Sequence, residues 1–134
     1  MKEFELKGYK IESCQFVNKL TGVQKIELSH KYSYNVGYSA NNTCRGEFRA
    51  EIADKNHPDQ FSLIMIVSAG FTTAPGAAKE VLHVKTYDAI FPYVKSIITT
   101  FTASAGIPPI YIPYIDISDK NIYRMEMPKP ADPS

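Results

Sequence analysis

Residues 25–39 read KIELSHKYSYNVGYS, and apolar and polar side chains alternate along this stretch. The residues in the apolar phase are Ile26, Leu28, His30, Tyr32, Tyr34, Val36 and Tyr38. Alternation with a period of two over this length predicts a long β-strand with one buried and one solvated face.

A second alternating stretch follows at residues 44–52, after the residues Asn41, Asn42 and Thr43. Asparagine tolerates left-handed backbone conformations and hydrogen-bonds to its own backbone, so these residues favour a turn. The two stretches therefore predict a β-hairpin.

Two further strands flank this hairpin. Residues 61–71 (FSLIMIVSAGF) are apolar in both phases, which is typical of a strand covered on both faces. Near the N-terminus, Tyr9 and Ile11 share one phase, whereas Cys14 and Phe16 share the other. This change of phase predicts a β-bulge near residues 12–13. Four successive strands with short connections predict an antiparallel sheet.

The period changes after residue 78. The apolar residues with helical spacing are Ile90, Val94, Ile97, Ile98, Phe101 and Ala105. They predict one long helix with Asp88 as the N-cap and Gly106 just after its C-terminus. Residues 107–117 (IPPIYIPYIDI) contain three prolines, which favour an extended apolar loop. Ser118 is predicted to cap one or two helical turns through Met125.

The fold class is therefore α+β, a four-stranded antiparallel sheet followed by one long helix and an extended proline-rich apolar loop. We expect a single domain over residues 1–127 and a flexible tail over residues 128–134.

The composition excludes several classes of protein. The 134 residues are 44% hydrophobic with a formal net charge of +1, unlike a disordered chain or a basic nucleic-acid-binding domain. The charged N-terminus does not resemble a signal peptide, and the longest apolar stretch is shorter than the ~18–20 residues of a membrane span. We therefore expect a cytoplasmic protein without membrane insertion, in which the two cysteines stay reduced.

The sequence predicts no catalytic, metal or cofactor site. The three histidines, His30, His57 and His83, lack the compact spacing of zinc ligands, and there is no nucleophile elbow or glycine-rich phosphate loop. A Cys14–His30 pair on neighbouring strands is conceivable, but a buried cysteine is more often a small packing residue. The chain is therefore not expected to be an enzyme.

The sequence does contain more apolar surface than one sheet and one helix can cover. Tyr32 and Tyr34 lie on one strand, Ile64 and Ile66 on the second face of another, and residues 110–115 add more. These residues could form core, an oligomer interface or an apolar groove for extended peptide.

The segment from residue 91 to 117 resembles the SecB family of export chaperones. Phe91-Pro92-Tyr93 opens the predicted helix, and Ile107-Pro108-Pro109 follows it directly, as in that family. The order of four strands and then this helix is also similar. The resemblance implies a holdase that binds unfolded polypeptides without ATP and assembles as a homotetramer, a dimer of dimers.

By position, the resemblance implies a client groove containing Ile26, Leu28, Ile110, Tyr111 and Ile112, to which we add Tyr32 and Tyr34 from the tyrosine-rich strand. Export members of the family dock the SecA motor through acidic residues on the exposed sheet face. This chain is close to neutral, which disfavours SecA as a partner. Service in export and service to a dedicated client such as an antitoxin both stay open.

The sequence is also compatible with two other functions. A hot-dog-like enzyme acting on a small molecule would need a polar catalytic group in its pocket, and His30 or Asp88 would have to supply it. An oligomeric adaptor with one dedicated partner would differ from a chaperone by its narrow range of clients.

Overall fold

The computed structural model describes residues 4–21 and 26–114. Its elements are β1 (Phe4–Asn18), β2 (Leu28–Ser39), β3 (Thr43–Asp54), β4 (Phe61–Thr73) and α1 (Lys79–Ser104). The strands form one antiparallel sheet in the order β1-β4-β3-β2, so β1 and β2 are its edges. The predicted fold class, a four-stranded antiparallel sheet followed by one long helix, is confirmed.

The β2–β3 hairpin turns at residues 40–42, between the paired residues Ser39 and Thr43. Asn41 and Asn42 have φ angles of 69° and 55°, in the left-handed region that asparagine tolerates better than most residues. The predicted turn is therefore present, and its two asparagines have left-handed conformations, as predicted.

The predicted bulge in β1 is also present. Ile11 pairs with Val67 and Ser13 pairs with Ile66, so Glu12 is the additional residue on β1. Its carboxylate accepts hydrogen bonds from Ser68 Oγ at 2.6 Å and from Arg45 at 2.7 Å. These two bonds hold the pKa of Glu12 below its ordinary value. The bulge thus ties β1 to the two central strands.

α1 packs against one face of the sheet, which we call the inner face; the opposite face is the outer face. Apolar side chains of the strands, of α1 and of the chain that follows α1 form the core. Its largest fully buried members are Tyr87, Phe48, Phe71, Ile52, Leu63, Met65, Ile90, Ile98, Ile112, Val67 and Val94. The period-two pattern of each strand supplies one layer, and the helical period supplies the other.

α1 begins nine residues before the predicted N-cap. Ala78 is the N-cap residue, and Asp88 lies in the middle of the helix, so its assignment as the cap was wrong. The cause is that Leu82, Thr86 and Tyr87 extend the buried face of α1 toward its N-terminus. At the other end, Gly106 follows the helix with a φ of 86°, as predicted for a C-terminal glycine.

The topology rules out the Cys14–His30 pair. Cys14 lies on β1 and His30 on β2, at opposite edges of the sheet, so these two strands are not neighbours. Burial raises the pKa of both Cys14 and Cys44, which disfavours the thiolate that nucleophilic chemistry needs.

Some predictions fall outside the described residues. The helical turns expected at residues 118–125, the end of the apolar loop and the tail at residues 128–134 all lie there. The domain limits at residues 1–127 therefore stay predictions.

Tyr34 links the sheet to the helix. Its hydroxyl donates a hydrogen bond of 2.7 Å to Thr86 Oγ1, and its ring lies over Gly46 on β3. A methyl group on Gly46 would overlap the Tyr34 hydroxyl. In contrast, a methyl group on Gly37 would meet no atom within 4 Å.

We expect Gly46→Ala to lower the free energy of unfolding by about 1–3 kcal/mol, because Tyr34 must move and lose its bond to Thr86. Gly37→Ala is the matched control and should change it by no more than about 0.5 kcal/mol. Urea unfolding of both variants checks this. Equal stability of the two would contradict the assigned role of Tyr34.

Candidate functional site

A cavity of about 480 Å³ opens between the inner face of the sheet and the chain that follows α1. We call it the groove. Its lining residues are Leu20, Ile26, Leu28, His30, Phe61, Ile107, Pro108, Pro109, Ile110 and Tyr111. The volume lies within the usual range of ligand sites, and the lining is mostly aliphatic or aromatic.

One wall of the groove belongs to residues 107–114, which we call the strap. Two threonines of α1 fix the strap at Ile110. Thr99 Oγ1 donates to the carbonyl oxygen of Ile110 at 3.0 Å, and the Ile110 N–H donates to Thr102 Oγ1 at 2.8 Å. Since both polar groups of this peptide segment are satisfied inside the fold, the strap can carry apolar side chains without orphaned backbone groups there.

The strap runs back along α1 from this point. At its far end, the Tyr114 hydroxyl donates to Asp88 Oδ1 at 2.6 Å, and the Tyr114 ring lies edge-on to Phe91 with 5.3 Å between centroids. The side chains between these anchors alternate: Ile110 and Ile112 are buried, whereas Tyr111 is 67% exposed. Tyr111 therefore stands at the mouth of the groove.

His30 is the only lining residue with an imidazole, and none of the ten is an Asp, Glu, Lys or Arg. His30 Nδ1 and the Tyr32 hydroxyl share a hydrogen bond of 2.6 Å. Partial burial lowers the pKa of His30 below its ordinary value of 6.5, so the ring is neutral at pH 7. The groove is accordingly uncharged at that pH.

The structure brings four of the seven sequence-predicted groove residues together. These four are Ile26, Leu28, Ile110 and Tyr111. The other three do not line the cavity: Tyr32, Tyr34 and Ile112 are 5%, 3% and 1% exposed and belong to the buried core. The Tyr34 hydroxyl bonds to Thr86 of α1, and the Tyr32 ring packs on Phe48 of β3.

Sequence reasoning missed part of the lining. Phe61 and Leu20 come from separate segments that antiparallel pairing brings to one end of the sheet, where Asn18 pairs with Phe61. No local sequence pattern predicts that these residues lie close together, because their proximity depends on the strand order. Asp88, the other catalytic candidate, does not line the groove and binds Tyr114 instead.

Among residues 4–21 and 26–114, no three His, Cys, Asp or Glu side chains are grouped in a way that could hold a metal ion. In the same part of the chain, no helix has the length and apolar character needed to cross a membrane.

Comparison with solved structures identifies the architecture. A SecB-like chaperone of Mycobacterium tuberculosis, Rv1957, solved in complex with a ChAD peptide from the HigA1 antitoxin, superposes with a TM-score of 0.69. The match covers 84% of this chain and 90% of that one at 12% sequence identity. This chain has the fold of a SecB-like chaperone.

Sequence comparison adds little to the structural match. No family model matches the chain. An uncharacterized protein of Methanocaldococcus jannaschii is 26% identical over 87 residues, which takes in 48% of this chain. The match covers 56% of the archaeal protein, so the chain spans little more than half of that relative.

The hydrogen bonds that hold the strap at Ile110 can be tested directly. Thr102→Val keeps the shape of the side chain but leaves the buried Ile110 N–H without its acceptor, so we expect a loss of about 1–3 kcal/mol in the free energy of unfolding. Thr100→Val, at an exposed position of the same helix, is the control and should change it by less than about 0.5 kcal/mol. Urea unfolding measures the stability of both variants. A Thr102→Val variant as stable as its control would contradict the role of Thr102 in holding the strap.

Proposed function

We propose that the protein is an ATP-independent chaperone that holds unfolded or non-native polypeptides in the groove. The observation that carries this proposal is an uncharged apolar cavity, open to solvent, between an edge strand and a tyrosine-bearing strap. A site without charged groups or a catalytic pair suits apolar segments of many sequences better than one polar substrate. We therefore propose a binding protein rather than an enzyme.

The structural neighbour supports a polypeptide as the ligand, since that chaperone was solved with a peptide from an antitoxin. We extend this ligand class to the present chain. Clients on the way to export and a dedicated client such as an antitoxin would both present extended apolar segments of this kind.

The mechanism is mass action on the unfolded state. Exposed Tyr111 and half-buried Leu28 supply contact area to an apolar segment, and each such contact removes aggregation-prone surface from water. Binding of the unfolded chain lowers its free concentration without nucleotide hydrolysis.

We also propose that the protein assembles with itself, as the homotetramer that the resemblance implies. The support is an apolar patch along β1, where Tyr9 and Ile11 are 46% and 48% exposed on the inner face and Tyr93 of α1 stacks on Tyr9 at 4.6 Å between centroids. Several groove copies in one particle would bind a long client with avidity.

SecA is left out of the proposed partners. On the outer face, Arg45 pairs with Glu12 and Glu47, and Arg49 pairs with Glu51, so basic and acidic groups alternate and largely cancel. A partner that recognises a concentrated acidic surface would find little to bind there.

The groove is tested by the two side chains at its mouth. We expect Leu28→Ser and Tyr111→Ser each to weaken binding of a permanently unfolded polypeptide by at least about fivefold, because each removes apolar contact area worth on the order of 1–2 kcal/mol. Fluorescence anisotropy with a labelled unfolded client measures the dissociation constant. Ile110 and Ile112 are unsuitable for this test because they are buried in the core.

Val81→Ser is the control for these variants, since Val81 is an exposed apolar residue that does not line the groove. It should bind the client as the parent does, and all three variants should keep the parent's circular dichroism spectrum. Unchanged affinity in both groove variants would refute the groove as the client site.

Self-association is tested on β1. Ile11→Lys places a charge in the apolar patch, and we expect it to reduce the number of subunits per particle in light scattering. Val17→Lys is the matched control, because Val17 is similarly exposed on the same strand but faces the outer side, where it pairs with Ser62. A monomeric parent, or equal particle sizes for both variants, would contradict the proposed assembly.

A further inference from the structure

The groove lies beside an unpaired strand edge. β2 pairs with β3 on one side, and no strand in the described part of the chain pairs with it on the other side. Its backbone N–H and C=O groups on that side are directed away from the sheet. Such an edge is a ready template for another extended chain.

The lining residues from this part of the chain have a period of two. Ile26, Leu28 and His30 all contribute to the groove, while Glu27 and Ser29 between them do not. In an extended chain, every second side chain lies on the same face, about 7 Å from the next. The groove wall therefore has the repeat distance of a β-strand.

The opposite wall offers few backbone donors. Pro108 and Pro109 have no N–H, and both polar backbone groups of Ile110 are bound to α1 through Thr99 and Thr102. A client in the groove can therefore obtain main-chain hydrogen bonds on the β2 side, whereas the strap supplies apolar contact. The β2 wall thus provides hydrogen-bonding groups, and the strap provides apolar side chains.

From these observations, and resting on the chaperone function proposed above, we propose that clients bind as an added β-strand along the free edge of β2 at Leu28–Lys31. The preferred class of client is then an extended segment with large apolar residues at alternate positions. Its apolar side chains enter the groove beneath the strap, and the intervening side chains face away from it. Main-chain bonds supply affinity without sequence specificity, and the groove selects the alternation.

The edge of β2 allows only a short strand to be added. Lys31, at the end of this part of the edge, is exposed and is the register partner of Glu51 on β3. A charge on an edge strand discourages flat, continuous pairing with another sheet. After His30, Tyr32 and Tyr34 on the inner face of β2 are buried, and Tyr34 bonds to Thr86 of α1, so the added strand is short.

The test uses four synthetic peptides. The first alternates leucine with serine, and the second has the same residues with leucines at helical spacing. The third and fourth are the alternating peptide with N-methyl groups on one or the other set of alternate residues. Anisotropy titration of the full chain gives the dissociation constants. We expect the alternating peptide to bind about tenfold more tightly than its rearranged isomer.

N-methylation provides the matched control within one peptide. In an added strand, only every second N–H points to the neighbouring strand, so methyl groups on one set of alternate residues should weaken binding about tenfold or more. Methyl groups on the other set should have little effect. Contacts made by side chains alone would give the two sets equal effects.

The outcomes separate this proposal from the chaperone function itself. If all peptides bind equally well and Leu28→Ser weakens all of them, strand addition is refuted while the groove stays the client site. If neither the peptides nor a permanently unfolded protein binds, the proposed chaperone function fails as well. A difference between the two N-methylated sets that Leu28→Ser reduces would support strand addition.

Discussion

The packing of α1 on the inner face of the sheet is the constraint on which the other features depend. Tyr87 stacks on Phe48 with 5.9 Å between centroids, and the Tyr34 hydroxyl bonds to Thr86 inside the same interface. This contact fixes how far the helix covers β2, and therefore where the inner face is open. The groove exists because α1 crosses the sheet obliquely. Its first half contacts Tyr34 of β2, whereas Phe101 near its C-terminus contacts Phe16 of β1, so the beginning of β2 is left to the strap.

The strap converts an exposed sheet end into a cavity. Its position comes from two threonine hydroxyls on α1, which bind the N–H and the carbonyl oxygen of Ile110, and from the bond between Tyr114 and Asp88. Pro108 and Pro109 before these anchors, and Pro113 between them, favour an extended chain and remove backbone donors. The proposed holding of segments of varied sequence rests on this apolar wall facing a strand edge.

The strands and the helix could be predicted because their signals are local. The alternation at residues 25–39, the asparagine turn and the phase change near Glu12 each report backbone geometry within a few residues. The start of α1 could not be found in this way. Residues 79–87 mix charged and apolar side chains, and Thr86 is buried only because Tyr34 of a distant strand binds it.

By itself, the sequence determined the four strands, the long helix, the extended proline-rich segment and the absence of a concentrated charge, since each follows from local spacing and composition. Only the tertiary structure decided which apolar residues are core and which line the groove. Tyr34 and Leu28 have the same phase on the same strand, yet α1 covers the first and leaves the second beside the cavity. The difference lies in the direction in which α1 crosses the sheet, from β2 toward β1, which is a long-range packing property that no local pattern encodes.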